Sequence, residues 1–304
     1  MDVDETASPE PLVVDVKRNS LDDGPGIRSV VFFKGCPLRC VWCQNPESLV
    51  PGRELQRLPD RCVGCGACVL ACTRGVARPG GVVQAGECGV CETCVAVCPT
   101  AARRVVGTAY DLDALFDKLL RDEPFYRRSG GGVTLSGGEP TLYLDYVTRL
   151  AERLAARGVH VLVETCGHFD GERFVGDLLP HLGAVYFDVK VADPEAHRRA
   201  TGRDNRRIRE NLTLVARTNP EKLLVRVPLV PGITDLAENL AAIAALLRGL
   251  GLPRVALLPY NPLWIPKRRA LGLDLPYAHA EWMSEDSVRR CGDPFRRVGL
   301  EVLQ

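Results

Sequence analysis

The sequence predicts an α/β fold: a partial (β/α)6 barrel of parallel strands and crossover helices, interrupted by one small cysteine-rich insert. Three observations carry this. Short apolar runs alternate with amphipathic stretches along most of the chain, the order that builds parallel sheets. Eleven of the thirteen cysteines fall between Cys36 and Cys98. Within that interval one cysteine spacing occurs twice, 26 residues apart.

Taken in order, residues 1–12 are acidic and lack the basic and apolar regions of an export signal, so they read as a disordered lead on a cytoplasmic protein. The barrel opens over 13–51, with its first strand at 29–34 (SVVFFK). Residues 52–106 turn rich in Cys, Gly and Val, lose helical periodicity, and form the insert. The barrel resumes over 107–304, with strands expected at 132–136, 159–164, 184–189, 223–228 and 255–259. With 29–34 these make six strands, too few for a closed eight-stranded barrel. Helices are expected at 143–157 and 236–250. Beyond Leu263, the prolines Pro266, Pro276 and Pro294 predict irregular chain until a last strand at 299–303.

Composition narrows the function. The chain has 304 residues, of which 46% are hydrophobic and 25% charged, ordinary values for a globular protein. A formal net charge of +1 supplies no field for nucleic acid or an anionic membrane. No apolar run approaches the roughly 20 residues that span a bilayer. Closely spaced cysteines without an export signal indicate metal ligands rather than disulfides.

Cys36, Cys40 and Cys43 lie in GCPLRCVWCQNPE, a C-x3-C-x2-C run directly after a strand. A four-iron cluster takes four external ligands, so three thiolates leave one iron open to bind a substrate. A zinc knob would close with a fourth Cys or His, and none follows within ten residues of Cys43. Further on, 130–140 reads GGGVTLSGGEP, a glycine-rich turn at a strand end that lacks the Lys-Ser/Thr of a P-loop. Polar groups then recur at the carboxyl ends of successive strands: Glu164, Asp188 with Lys190, and Arg226. A parallel array binds its ligands at those ends.

The first cysteine run, with Trp42 immediately before Cys43, resembles the loop of the radical S-adenosylmethionine (SAM) superfamily. The resemblance implies that the open iron chelates SAM and that an electron then cleaves it to methionine and a 5′-deoxyadenosyl radical. It also implies that Gly137, Gly138 and Glu139 receive the SAM ammonium, as the GGEP segment does in that superfamily. Residues 20–28 (SLDDGPGIR) leading into the cysteine loop are similar to the stretch that marks the glycyl-radical-enzyme activating enzymes, the pyruvate formate-lyase activating enzyme among them. In those relatives the position of Glu164 is an acid near the SAM carboxylate, associated with a monovalent cation. Asp188 and Lys190 match a pair lining the site, and Arg226 matches an arginine that holds SAM. Asn261, in LLPYNPLW, stands where the relatives carry a histidine near the adenine. The partners implied are a glycyl-radical enzyme and a flavodoxin or ferredoxin as reductant.

The insert carries Cys62, Cys65, Cys68 and Cys72, then Cys88, Cys91, Cys94 and Cys98, each set spaced C-x2-C-x2-C-x3-C. That is the bacterial ferredoxin run, in which the fourth cysteine serves the other cluster. The expected sets are therefore Cys62, Cys65, Cys68 with Cys98, and Cys88, Cys91, Cys94 with Cys72, giving three [4Fe-4S] clusters in the chain. Cys166 is expected near the site and Cys291 in the core. Against the activase reading stand two others. One is a radical SAM enzyme acting on a small molecule, with a closed pocket lined by Tyr260, Trp264 and Lys267; the other is a plain electron carrier.

Overall fold

The computed structural model describes residues 10–78 and 87–303. Eleven strands run in chain order: β1 Leu12–Ser20, β2 Arg28–Phe33, β3 Glu54–Arg57, β4 Arg103–Val106, β5 Thr108–Ala109, β6 Gly132–Gly137, β7 His160–Thr165, β8 Ala184–Asp188, β9 Leu223–Pro228, β10 Arg254–Leu258 and β11 Glu301–Leu303. Nine of them form one sheet in the order β11-β10-β9-β8-β7-β6-β2-β1-β5. From β2 through β6 to β10 and β11, every neighbouring pair is parallel. The six expected strands are the six at its centre, β2 and β6 to β10.

These strands are apolar on both faces, the pattern of a parallel sheet covered on both sides. Val30, Val31, Val133, Leu135, Leu162, Val163, Val185, Phe187, Val225 and Val255 are all buried. The helix Leu144–Ala156 buries Leu144, Val147, Leu150, Ala151 and Leu154, a 3.6-residue stripe, against the sheet. The helix Pro194–Thr201 is capped by Asp193, whose carboxylate accepts from the Ala196 amide at 2.7 Å, and stops at the left-handed Gly202.

Two expectations at the ends of the chain are corrected. Residues 1–9 of the expected lead lie outside the described residues, but Leu12 already opens β1, which pairs antiparallel with β2. Its outward charges, Asp15, Lys17 and Arg18, mask the alternation in the sequence. The stretch after Leu263 is irregular only over 272–284, around Pro276; the rest folds into helices Trp264–Leu271, Glu285–Cys291 and Asp293–Arg297. Pro266 and Pro294 fall in the first turns of their helices, where an amide has no intrahelical acceptor and proline costs nothing.

Residues 52–106 leave the main sheet. β3 and β4 pair antiparallel as a separate two-stranded sheet, with a small apolar cluster of Leu55, Ala77 and Cys94 behind it. Residues 79–86, between the two cysteine runs, lie outside the described residues.

Candidate active site

The carboxyl ends of the parallel strands open into a cavity of about 350 Å³, within the range of small-molecule sites. Its wall takes residues from every central strand or the loop that follows: Cys36, Cys40 and Cys43 after β2, Gly137 and Gly138 at β6, Glu164 at β7, Asp188 and Lys190 at β8, Arg226 at β9, and Asn261 after β10. Trp42 and Cys166 also line it. The structure thus brings to this cavity every residue expected around SAM and its cluster except Glu139.

Glu139 is fully buried behind the wall. Its Oε1 accepts from the Thr141 and Thr165 hydroxyls at 2.7 and 2.9 Å, and its Oε2 accepts from the Cys166 amide at 2.7 Å. These bonds tie β6 to the end of β7, and Glu139 is not among the residues that line the cavity. At Gly137, φ is +109° and an added Cβ would lie 2.3 Å from the Phe33 amide nitrogen. At Gly138 it would lie 2.1 Å from the Gly35 carbonyl oxygen. Only glycine lets the chain pass so close under the cysteine loop.

Opposite the cysteines, four charges form one chain. The Arg226 guanidinium donates from Nε to Asp188 at 2.9 Å and from Nη1 to Glu164. Lys190 Nζ donates to the other Asp188 oxygen at 3.3 Å, and the Ser136 hydroxyl donates to Glu164 at 2.6 Å. Burial pulls the pKa values of Lys190 and Arg226 down, but the carboxylates outweigh it and hold both cations above their ordinary ranges. Burial likewise pushes Asp188 upward, and Arg226 and Lys190 overcome it, so that carboxylate stays below its usual range. Two cations and two anions at one cavity wall offer matched partners to a zwitterionic ligand.

The cysteine loop is held by backbone bonds. The Arg39 and Val41 amides donate to the Thr201 and Ala200 carbonyls at 2.7 and 3.1 Å, at the end of the helix Pro194–Thr201. Burial pushes the Cys40 thiol up and the Cys43 thiol up to about 12, so thiolates here call for a compensating metal charge. Cys36 interacts with the Cys166 thiol, which draws Cys36 down while Cys166 rises. Among the described residues no three Cys, His, Asp or Glu side chains converge on the position of a single metal ion. The cysteines instead surround cavities, an arrangement that fits a multi-iron cluster.

In the insert, Cys62, Cys65, Cys68 and Cys98 line one small pocket and Cys72, Cys88, Cys91 and Cys94 line another. These are the crosswise sets expected from the spacing. The Ala102 amide donates to Cys98 Sγ at 3.2 Å and the Val90 amide to Cys88 Sγ at 3.3 Å. A backbone bond from Gly64 draws the Cys62 thiol down, and one from Ala77 does so for Cys72. Amide donors aimed at sulfur and acidified thiols suit cluster ligation.

Sequence reasoning passed over Asp22, Asp23, Gln44 and Ser136, which also line the main cavity. The carbonyl of Asp23 accepts from Thr134 Oγ1 at 2.7 Å, folding that loop into the interior of the array. The pocket expected of a small-molecule enzyme does not assemble. Tyr260 reaches the cavity, but Trp264 is fully buried, donating from Nε1 to the Tyr260 hydroxyl at 3.0 Å, and Lys267 faces a neighbouring groove. Cys291 is buried in the core.

Comparison with known proteins fits this geometry. The radical SAM superfamily matches residues 88–247, and the 4Fe-4S binding domain matches 56–77. The chain therefore belongs to the radical SAM superfamily. It is 36% identical over 302 residues to the isethionate sulfite-lyase activating enzyme of Desulfovibrio desulfuricans, covering 96% of this chain and 95% of that one. It is 39% identical over 257 residues to the benzylsuccinate synthase activating enzyme of Thauera aromatica, covering 80% and 77%. The crystal structure of a domain of pyruvate-formate lyase-activating enzyme from Bacteroides vulgatus superposes with a TM-score of 0.46 at 25% identity, covering 57% of this chain and 98% of that domain. Within the superfamily, the chain belongs to the glycyl-radical-enzyme activating enzymes. Among the described residues no helix is long and apolar enough to cross a membrane.

Proposed function

We propose that this protein cleaves SAM reductively and uses the resulting radical to remove a hydrogen atom from a glycine Cα of a partner enzyme. The observation that carries the reading is the cavity itself, in which three cysteines on one loop face a balanced row of charges across about 350 Å³. The bound cluster and SAM supply the 5′-deoxyadenosyl radical. Cys36, Cys40 and Cys43 hold the cluster and leave one iron free for SAM. Gly137 and Gly138 let the SAM ammonium approach the backbone, and Arg226 and Lys190 meet its carboxylate. Glu164 and Asp188 balance those cations, and Glu164 is the place for a monovalent cation. Trp42 and Asn261 border the adenine.

The fold of this reading is a partial (β/α)6 barrel over 13–51 and 107–304, with a ferredoxin-like domain at 52–106 holding two further [4Fe-4S] clusters. The two crosswise cysteine pockets support it. An external flavodoxin or ferredoxin supplies the electron. The relatives named above act on different lyases and synthases, so the partner here is a glycyl-radical enzyme of that broad class.

The test is anaerobic reconstitution, reduction, and addition of SAM with a candidate partner. 5′-Deoxyadenosine together with a protein doublet in the paramagnetic resonance spectrum, collapsing on α-deuteration of glycine, establishes the activase. Deoxyadenosine without the doublet, when a competent partner is present, defeats it.

A further inference from the structure

The insert leaves and rejoins the main fold through two short crossings, and among its described residues a two-stranded sheet over a small apolar cluster, with Leu55, Ala77 and Cys94 buried, gives it little by which to fix its own orientation. A small interface between units of one chain leaves relative motion as the default. Both crossings close on a single side chain, Lys34. This lysine ends the apolar run of β2, two residues ahead of Cys36, and is fully buried. Its Nζ donates to Glu54 Oε2 at 2.7 Å, where the insert begins, and to the Glu47 carbonyl at 2.7 Å, just after the cysteine loop. At the exit of the insert, a Cβ on Gly107 would lie 2.9 Å from Lys34 Cδ. Its backbone is pinned as well: the Lys34 amide donates to the Leu12 carbonyl at 2.8 Å, and the Tyr143 hydroxyl donates to the Lys34 carbonyl.

From Glu54 the strand β3 carries Leu55 to the pocket of Cys72, Cys88, Cys91 and Cys94, and Arg57 to the pocket of Cys62, Cys65, Cys68 and Cys98. The helix Trp264–Leu271 packs on the same strand, and its Lys267 pairs with Glu47 at 3.0 Å. Lys34 therefore sits at the root of the strand that lines both pockets. It is joined to the loop that carries the third. A hydrophobic contact would hold the pieces together equally well; a buried ion pair adds direction, because its geometry admits one register.

We propose that Lys34 is a positioning residue that clamps the insert to the catalytic loop through Glu54, setting the insert's cysteine pockets at a fixed place relative to Cys36, Cys40 and Cys43. The electronic consequence rests on the reading of the insert as cluster-bearing; the clamp itself does not.

The experiment compares the reconstituted holoenzyme with Lys34→Met, Lys34→Arg and Glu54→Gln. Amide hydrogen exchange in β3 and β4 is expected to accelerate at least tenfold in Lys34→Met and Glu54→Gln, and to stay near wild type in Lys34→Arg. Magnetic coupling between the reduced clusters weakens in the same two variants, while the change that SAM induces in the catalytic cluster's spectrum persists. Should Lys34→Met lose its catalytic cluster, Glu54→Gln, which lies outside that loop, decides the matter. Wild-type exchange in β3 and β4 of Glu54→Gln overturns the clamp. Wild-type protein holding about four irons rather than about twelve defeats the cluster-bearing reading, and faster exchange in the variants still upholds the clamp.

Discussion

Arg226 is the residue on which the charge balance of the cavity turns, since it pairs with both Glu164 and Asp188. Arg226→Met leaves Asp188 to Lys190 alone and Glu164 to the Ser136 hydroxyl, without a cation of its own in a largely buried site. Breaking such a pair costs about 3–5 kcal/mol, to be read as a fall in the thermal midpoint. Asp122 makes a subtler case. It accepts from the Ser29 hydroxyl at 2.7 Å and from Arg18 Nε at 2.8 Å, and the Arg18 bond chiefly holds its carboxyl below the usual range. Asp122→Asn is expected to cost about 1 kcal/mol, the exposed Arg18 adding little because solvent screens it. A depressed carboxyl gives stability that is complete above the unfolded pKa and lost only as pH falls through the folded one. The penalty measured by denaturant unfolding should therefore be flat between pH 5 and 8. Lys34 and Glu139 show how far residue-level reading reaches. Glu139 sits in a legible motif, yet its partners Thr165 and Cys166 come from the next strand. Lys34 reads as the tail of a strand because both its anchoring groups lie elsewhere in the chain.

At the level of elements, the central strands were legible because their apolar runs are buried on both faces, and β1 was not because half its residues face water. The two prolines near the carboxyl end misled for a different reason. Proline breaks a helix only where an amide is needed, and the sequence does not say where a helix begins. Pro266 is third in its helix, so Pro266→Ala should change stability by less than about 1 kcal/mol. Arg269, exposed in the last turn of the same helix, is a different position. Arg269→Pro should cost about 3 kcal/mol, seen as lost helicity and a lower midpoint. The pair of substitutions separates a residue's type from its place.

For the whole molecule, the main cavity and the two insert pockets define three separate cysteine environments. Cys36→Ala is expected to abolish SAM cleavage and to leave about eight of about twelve irons, measured by metal analysis and by the paramagnetic spectrum of the remaining clusters. Loss of all iron would mean that the insert depends on the catalytic loop for its assembly. The crosswise sharing of cysteines has a consequence for how such a chain is made and how it evolves. Neither half of the duplicated segment owns a complete set: Cys98 completes the pocket begun at Cys62, and Cys72 completes the one begun at Cys88. A ribosome that has released only the first half has released no finished pocket, and a deletion that removes one half takes cysteines from both. The two runs are thus complementary parts of one unit, each giving three cysteines to one pocket and its last to the other.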